Sequence, residues 1–294
     1  MIINHKFLIK FELLILFFSK IYNFLNPFSR NEIRILIYHH IEEGKFSIFE
    51  NQLNYFRKKN WNFISPNQFE NHILGNQKLR GRNLLLTFDD GMSSNFLVAE
   101  KILKRLEIQA IFFVPSEFIK IKDNKEAMSF MRTNILDQDL PKDFISTKNM
   151  NFENLNKLLE NGHSIGAHTK THPNLAEISN QQILEDEIIK SAEMLEKKLN
   201  IKINHFAFTY GNYKSISEKS LRIALSKFRF IHSSLRGNNF SNNKKDIIKR
   251  DAIYMKYGNN FNSIFLSGII DIRYFFQISQ INKLIKKLLN YEFK

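Results

Sequence analysis

Between residues 32 and 255, short apolar runs alternate with stretches of helical periodicity, and no other feature of the sequence restricts the fold as much. Strands are expected at residues 33–38, 83–88, 110–114, 164–167, 203–208, 228–232 and 247–255. Helices are expected at 49–59, from Ser93 or Ser94 to about Leu106, at 152–159, from Ser179, and at 217–225. Ser179 with Gln182 has the spacing of a capping box, and Leu184, Ile188, Ala192, Leu195 and Leu199 then share one face. Strand–helix–strand alternation kept up over most of a chain produces parallel βαβ units, so the fold class is α/β. Residues 119–150 lack periodicity and read as a long excursion on the rim. The chain has 294 residues, 43 % of them hydrophobic, enough to bury one sizeable core. Residues 31–258 are expected to form that domain. An apolar, amphipathic segment at 1–30 and a basic amphipathic helical segment at 259–294 flank it.

There is no cysteine, which excludes a disulfide scaffold and a thiolate metal site. Any metal must be held by His, Asp or Glu. The formal net charge of +14 is spread along the chain and comes mostly from lysine. It accompanies no recognised nucleic-acid motif, so no nucleic-acid partner is expected. Residues 7–25 are rich in Phe, Leu and Ile but are interrupted by Lys10, Glu12 and Lys20. The unbroken apolar run, residues 13–18, is far shorter than a bilayer span, and no small-residue cleavage site follows it. Near the other end Ile281, Leu284, Ile285, Leu288 and Leu289 are interleaved with Lys283, Lys286 and Lys287. Both ends fit amphipathic helices that either dock on the domain or lie on a membrane. Peripheral membrane contact through both termini and a membrane-associated or cell-envelope location are therefore expectations, with the side of the membrane left open.

The polar residues that stand out each follow an expected strand or lie in the last one: His39, Asp89, Asp90, His168, Tyr210 and Arg250. In an α/β barrel the C-terminal strand ends share one face, and that face carries the active site. In Thr87-Phe88-Asp89-Asp90-Gly91 two adjacent carboxylates repel each other at neutral pH unless a cation or a division of labour relieves them. The alternative is a pair of solvated acids at the start of the following helix. His168 and His172 are four apart, so on one helical turn they face the same way. Neutral imidazoles at that spacing suit Zn²⁺ and similar ions. A facing Asp would complete a His₂Asp site with open positions, the layout of a catalytic metal centre.

These residues resemble the polysaccharide deacetylase family, also called the NodB homology or carbohydrate esterase 4 family. The first family motif resembles residues 87–91, the second the stretch from His168 to His172, and the third Phe206-Ala207-Phe208-Thr209-Tyr210-Gly211. The resemblance covers about residues 33–255, and its first two motifs are the specific ones. It implies a distorted (β/α) barrel of NodB type with about seven strands. It implies metal-dependent hydrolysis of N-acetyl groups on an amino-sugar-containing polysaccharide or glycolipid. It implies Asp89 as general base, and Asp90, His168 and His172 as ligands of a divalent ion, zinc by ligand type. The backbone N–H of Tyr210 would belong to the oxyanion hole.

The sequence departs from the family pattern twice. Thr209 stands where the family usually has proline, which frees an N–H and loses a fixed φ. The late motif that carries the general-acid histidine in many members is absent, since the last histidine is His232, before Arg250. Ile35-Leu36-Ile37-Tyr38-His39-His40 instead resembles the early Tyr-His segment of the permuted branch that acts on poly-N-acetylglucosamine. On that resemblance His39 is the general acid, with His40 as the alternative. Arg250 can pair with Asp89 and hold it ionised and oriented. His163 reads as a supporting or structural histidine, His205 and His232 as core or strand-end residues, and His5 and His72 as incidental. Trp61 and the phenylalanines are expected in the core, with Tyr210 and Tyr213 on the rim where they can stack on sugars.

The intact quartet Asp89, Asp90, His168 and His172 favours an active deacetylase whose partner is an N-acetylated polysaccharide or lipid-linked sugar. The alternatives are a deformylase or amidase acting on a lipid-linked amino sugar, and a metal-containing carbohydrate-binding protein of the same fold that has lost catalysis.

Overall fold

The computed structural model describes residues 31–136, 148–240, 246–253, 255 and 257–291, so the expected segment at 1–30 lies outside the described residues. In chain order the elements are β1 (Glu32–Tyr38), α1 (Phe46–Lys58), β2 (Trp61–Phe63), α2 (Pro66–Leu74), β3 (Arg82–Phe88) and α3 (Ser93–Val98). They continue with β4 (Ala110–Val114), α4 (Ser116–Lys120), α5 (Asn124–Phe130), α6 (Phe152–Glu160), β5 (Ser164–Ala167), α7 (Gln181–Glu185) and α8 (Ser191–Leu199). The last are β6 (His205–Ala207), α9 (Glu218–Lys227), β7 (Phe230–His232), β8 (Asp251–Ala252), α10 (Asn259–Leu266) and α11 (Phe275–Tyr291). π-Helical turns extend α3 and α5 and join α7 to α8.

The strands form one parallel sheet in the order β7-β6-β5-β4-β3-β1-β8. On one side β3 pairs with β1 along its length. On the other it is shared, with β2 against Arg82–Leu84 and β4 against Leu86–Phe88. Ile248 bridges to His232 on β7, and Asp251 pairs with Leu36 on β1, so one short stretch joins the two edges. The result is a distorted (β/α) barrel.

Strand side chains alternate between two cores, as period-two geometry requires. Ile33, Ile35, Leu85, Ile111, Phe113, Ala207, Phe230 and Ile248 fill the interior, where Phe69 and Ile73 of α2 join them. Leu36, Tyr38, Leu86, Phe88 and Phe112 face the surrounding helices. Burial on both faces explains why these strands read as continuous apolar runs rather than alternating ones.

Several boundaries differ from expectation. The strand expected at 247–255 shortens to β8 plus the single bridge at Ile248. β2 was not foreseen, because three residues are too few to show periodicity. α2 was also missed, although its Ser65–Gln68 capping box and left-handed Gly75 are both written in the sequence. The helix expected from Ser179 is capped by Asn180, which accepts from the Ile183 N–H. The helix expected from Ser93 or Ser94 has no side-chain cap, and the Ser93 N–H instead donates to Lys148 O. The rim excursion is partly helical, in α4 and α5. At the C-terminal end Ile281, Ile285 and Leu288 of α11 are buried in the helix-side core. No helix among the described residues is long and apolar enough to cross a membrane.

Candidate active site

Parallel strands put the ends of β1, β3, β5 and β6 on one face, and there a cavity of about 360 Å³ gathers the sequence candidates. His39, His40, Asp89, Asp90, His168, His172, Tyr210 and Arg250 all line it. The backbone is unusual at this face. Among the described residues seven non-glycine positions have positive φ, and four of them are Asp90, Thr169, His172 and Tyr210. Each costs on the order of 1 kcal/mol, and such conformations persist where a site needs them.

His168 and His172 do not lie on a helical turn. They follow β5 in an irregular loop, in which left-handed Thr169 and His172 turn both rings inward. The Thr169 hydroxyl accepts from the His172 N–H at 2.9 Å, and Ser191 on α8 donates to Thr169 O. Buried Glu187 accepts from the Lys170 and Thr171 N–H groups and from the Thr171 hydroxyl. Each imidazole is then fixed by its Nδ1. His168 donates to Ala207 O at 2.8 Å, and His172 to Asn134 O at 2.8 Å. With Nδ1 as the donor, each neutral ring keeps its Nε2 lone pair for the cavity.

Those Nε2 atoms lie 3.5 and 3.4 Å from Asp90 Oδ1, for His168 and His172 respectively. One donor atom from each of Asp90, His168 and His172 lies within 4.8 Å of the others. Burial alone would raise the Asp90 carboxyl, but the two imidazoles outweigh it and hold it well below the usual range. Burial pulls His172 down, and Asp90 more than reverses this, leaving its pKa raised. A buried carboxylate that draws positive charge onto its neighbours makes an environment suited to a cation. Two oriented nitrogens and one carboxylate fit a divalent ion such as zinc.

Asp89 stands outside that cluster. Arg250 grips it with two parallel bonds, Nη1 to Oδ1 at 2.7 Å and Nη2 to Oδ2 at 2.9 Å. Arg250 is itself held by Ser233 O, by the Thr87 hydroxyl and by the face of Phe113. His39 is exposed at the cavity wall, and its ring has no hydrogen bond among the described residues. His40 Nδ1 instead meets the Ser94 hydroxyl at 2.8 Å. At the end of β6, Tyr210 and Gly211 are consecutive left-handed residues. The Thr209 hydroxyl donates to Pro173 O, Ser234 Oγ donates to Tyr210 O at 2.6 Å, and the Ser234 N–H donates to Gly211 O at 2.8 Å. A Cβ at position 211 would lie 2.6 Å from the Ser234 nitrogen, so the turn needs glycine.

The other histidines lie elsewhere. His163 accepts from the Ala110 N–H at the start of β4, with its ring edge on Phe112. His205 and His232 form a buried pair that reaches Glu70. His72 is not incidental, since it is buried and bonds to Phe240 O and the Leu79 N–H. Trp61 is in the core, and Tyr210 and Tyr213 are exposed, as expected. Glu187, Ser191, Asn134 and Ser234 escaped the sequence reading. Glu187, Ser191 and Ser234 bond to backbone groups, and Asn134 offers only its main-chain oxygen to His172, which leaves no spacing signal.

The polysaccharide deacetylase family model matches residues 76–224, which is half of the chain. The chain belongs to the polysaccharide deacetylase family. The family match spans β3, β5 and β6, and with them Asp89, Asp90, His168, His172 and Tyr210. Similar solved structures share the fold at low identity. IcaB from Ammonifex degensii is 18 % identical with a TM-score of 0.64, over 81 % of this chain and 97 % of that one. The deacetylase PplD of Streptococcus pyogenes, in complex with acetate, is 20 % identical with a TM-score of 0.61, over 80 % and 99 %. A de-N-acetylase from Aggregatibacter actinomycetemcomitans is 15 % identical with a TM-score of 0.62, over 80 % and 100 %. The search of curated proteins gave no match.

Proposed function

We propose that this polysaccharide deacetylase family member is an active, metal-dependent hydrolase that removes N-acetyl groups from an amino-sugar polysaccharide. The observation that supports this is the meeting, in one cavity, of a three-donor cluster with a clamped carboxylate that is not part of it. Asp90, His168 and His172 would hold the ion, zinc by ligand type, which when bound supplies Lewis acidity to the acetyl carbonyl and to water. Asp89 takes the proton of the attacking water. Each of its oxygens accepts one bond from Arg250 and keeps a second lone pair for this purpose. His39, exposed at the mouth, gives a proton to the departing amine. The Tyr210 N–H, on its tied turn, stabilises the developing oxyanion. Exposed Tyr210 and Tyr213 offer ring faces to neighbouring sugars.

The test is acetate release from a panel of N-acetylated oligosaccharides, with chelator and after zinc is restored. Release that chelation stops and zinc restores is expected. A flat response across the panel with metal still bound would favour the binding-protein alternative. His39→Ala should lower turnover by about 10² with metal content unchanged. If His40→Ala carries that loss instead, the acid is the neighbouring ring.

A further inference from the structure

The most exposed large apolar side chains of the described residues lie together at the start of α11: Ile272 at 80 %, Phe275 at 73 % and Phe276 at 69 %. Ile272 and Phe275 border a groove of about 820 Å³ between residues 236–238 and α11. Lys249, Lys283 and Lys286 line the same groove. Along α11, Phe275, Ser279, Lys283 and Lys286 recur at three- and four-residue spacing and so share one face. That face is separate from Ile281, Ile285 and Leu288, which are buried against the barrel. Exposed Arg273 lies among the apolar residues. Of the two acids in the groove, Asp271 is already tied to Arg34 at 2.7 Å.

The location of this surface is informative. Asn238, in the groove, accepts from the Ile33 N–H near the start of β1 and reaches Asn31 O. The groove therefore sits where β1 begins, at the opposite end of the strands from His39, Asp89 and His168. Residues 1–30 join the fold at the same end, and they carry many Phe, Leu and Ile residues with Lys6, Lys10, Lys20 and Arg30 against Glu12 alone.

We propose that this end of the barrel seats on an anionic lipid bilayer, with the catalytic mouth directed away from it. Phe275, Phe276 and Ile272 enter the interface while Arg273, Lys283 and Lys286 meet the headgroups, the arrangement that interfacial binding requires. Charge decides between occupants. A second copy would set these cations against their own kind, and residues 1–30 would add still more positive charge to the groove. An anionic surface neutralises both. The docking stands apart from the deacetylase reading. Together with that reading, it directs the site toward glycan extending into the aqueous phase rather than toward sugars in the same headgroup layer.

The full-length chain tests this through its single tryptophan, Trp61, which is 3 % exposed and so blind to lipid. In Phe276→Trp a new indole reports the patch, and in Tyr210→Trp it reports the mouth. With phosphatidylglycerol vesicles carrying brominated chains, Phe276→Trp emission should shift to the blue and be quenched, and Tyr210→Trp emission should not. Phosphatidylcholine vesicles or raised salt should weaken partitioning about ten-fold. The triple change Ile272→Ser, Phe275→Ser and Phe276→Ser should weaken it by about ten-fold or more. Vesicle binding with unaltered Phe276→Trp emission would overturn the proposal, as would no binding at all. So would a blue shift that follows protein concentration without lipid, which indicates a second copy. A blue shift present at every concentration without lipid would mean that the chain's own residues cover the patch. Quenching of Tyr210→Trp would reverse the orientation.

Discussion

Arg250 and Asp251 are neighbours in the chain, yet they enter two buried ion clusters of opposite quality. Arg250 meets Asp89 with two short parallel bonds, and its Nε is taken by Ser233 O. Asp251 lies between Arg236 at 3.2 Å and Arg34 at 3.6 Å, and neither of its oxygens makes a hydrogen bond. Nε of Arg34 and both Nε and Nη2 of Arg236 also lack hydrogen-bond partners. Burial, only partly offset by Arg236 and Arg34, pushes the Asp251 carboxyl up to about 6. The residue types and the burial are the same in the two clusters. What differs is alignment, and alignment decides whether a buried pair recovers its desolvation cost. The aligned cluster is the one that holds a candidate catalytic group.

The contrast can be broken most forcefully at Arg250. Arg250→Met leaves Asp89 buried and unpaired and should cost about 3–5 kcal/mol in urea unfolding, with turnover falling as well. A loss near zero would mean that the clamp is ornamental. Next, Asp89→Asn should lower turnover by about 10²–10³ while metal content holds. Asp251→Asn should leave turnover within about two-fold, since Asp251 lies outside the cavity wall. Its stability at neutral pH should hold or rise, because the unaligned ionised carboxylate recovers little of its desolvation cost and Arg34 keeps Asp271. A loss matching that of Arg250→Met would erase the distinction.

A finer test uses pH. Burial lowers His163 to about 4 from an ordinary 6.5, so the unfolded chain binds more protons between these values. The stability this supports is complete above pH 6.5 and is lost as pH falls toward 4. Asp251 runs the other way. Its folded pKa of about 6 exceeds the ordinary 3.8, so its contribution is complete below 3.8 and is lost as pH rises through 6. Each is on the order of 3 kcal/mol, and the two oppose each other between about pH 4 and 6. Asp251→Asn should therefore make the chain more acid-labile in that window, and His163→Gln should make it less so, read as urea midpoints across pH. Slopes that move in the same direction would show that one of the two assignments is wrong.

The sequence made the barrel legible because its strands are buried on both faces and end in chemistry-bearing residues. Asp89, Asp90, His168 and His172 could be read from spacing, and the structure does bring them together. How they converge could not be read. The two histidines meet through left-handed turns rather than a helical face, and those turns depend on Glu187 and Ser191, distant in sequence and bonded to backbone. The acceptor for His172 is a main-chain carbonyl at Asn134, inside a stretch without periodicity, where any residue type supplies the same oxygen. The patch at Ile272, Phe275 and Phe276 was missed for a related reason. The amphipathic pattern is regular only from Ile281 onward, and the structure packs that face against the barrel.

The closing stretch of the sheet has a consequence for how the chain matures. Ile248 meets β7, Asp251 meets β1, and Arg250 between them reaches Asp89 across 161 residues of sequence. A nascent chain that has not yet delivered these residues from the ribosome holds Asp89, Asp90, His168 and His172, but has neither a joined sheet nor the guanidinium that grips Asp89. Contacts so distant in sequence form late. Under the proposed function, catalytic competence would therefore arrive in the same event that joins the two edges of the sheet.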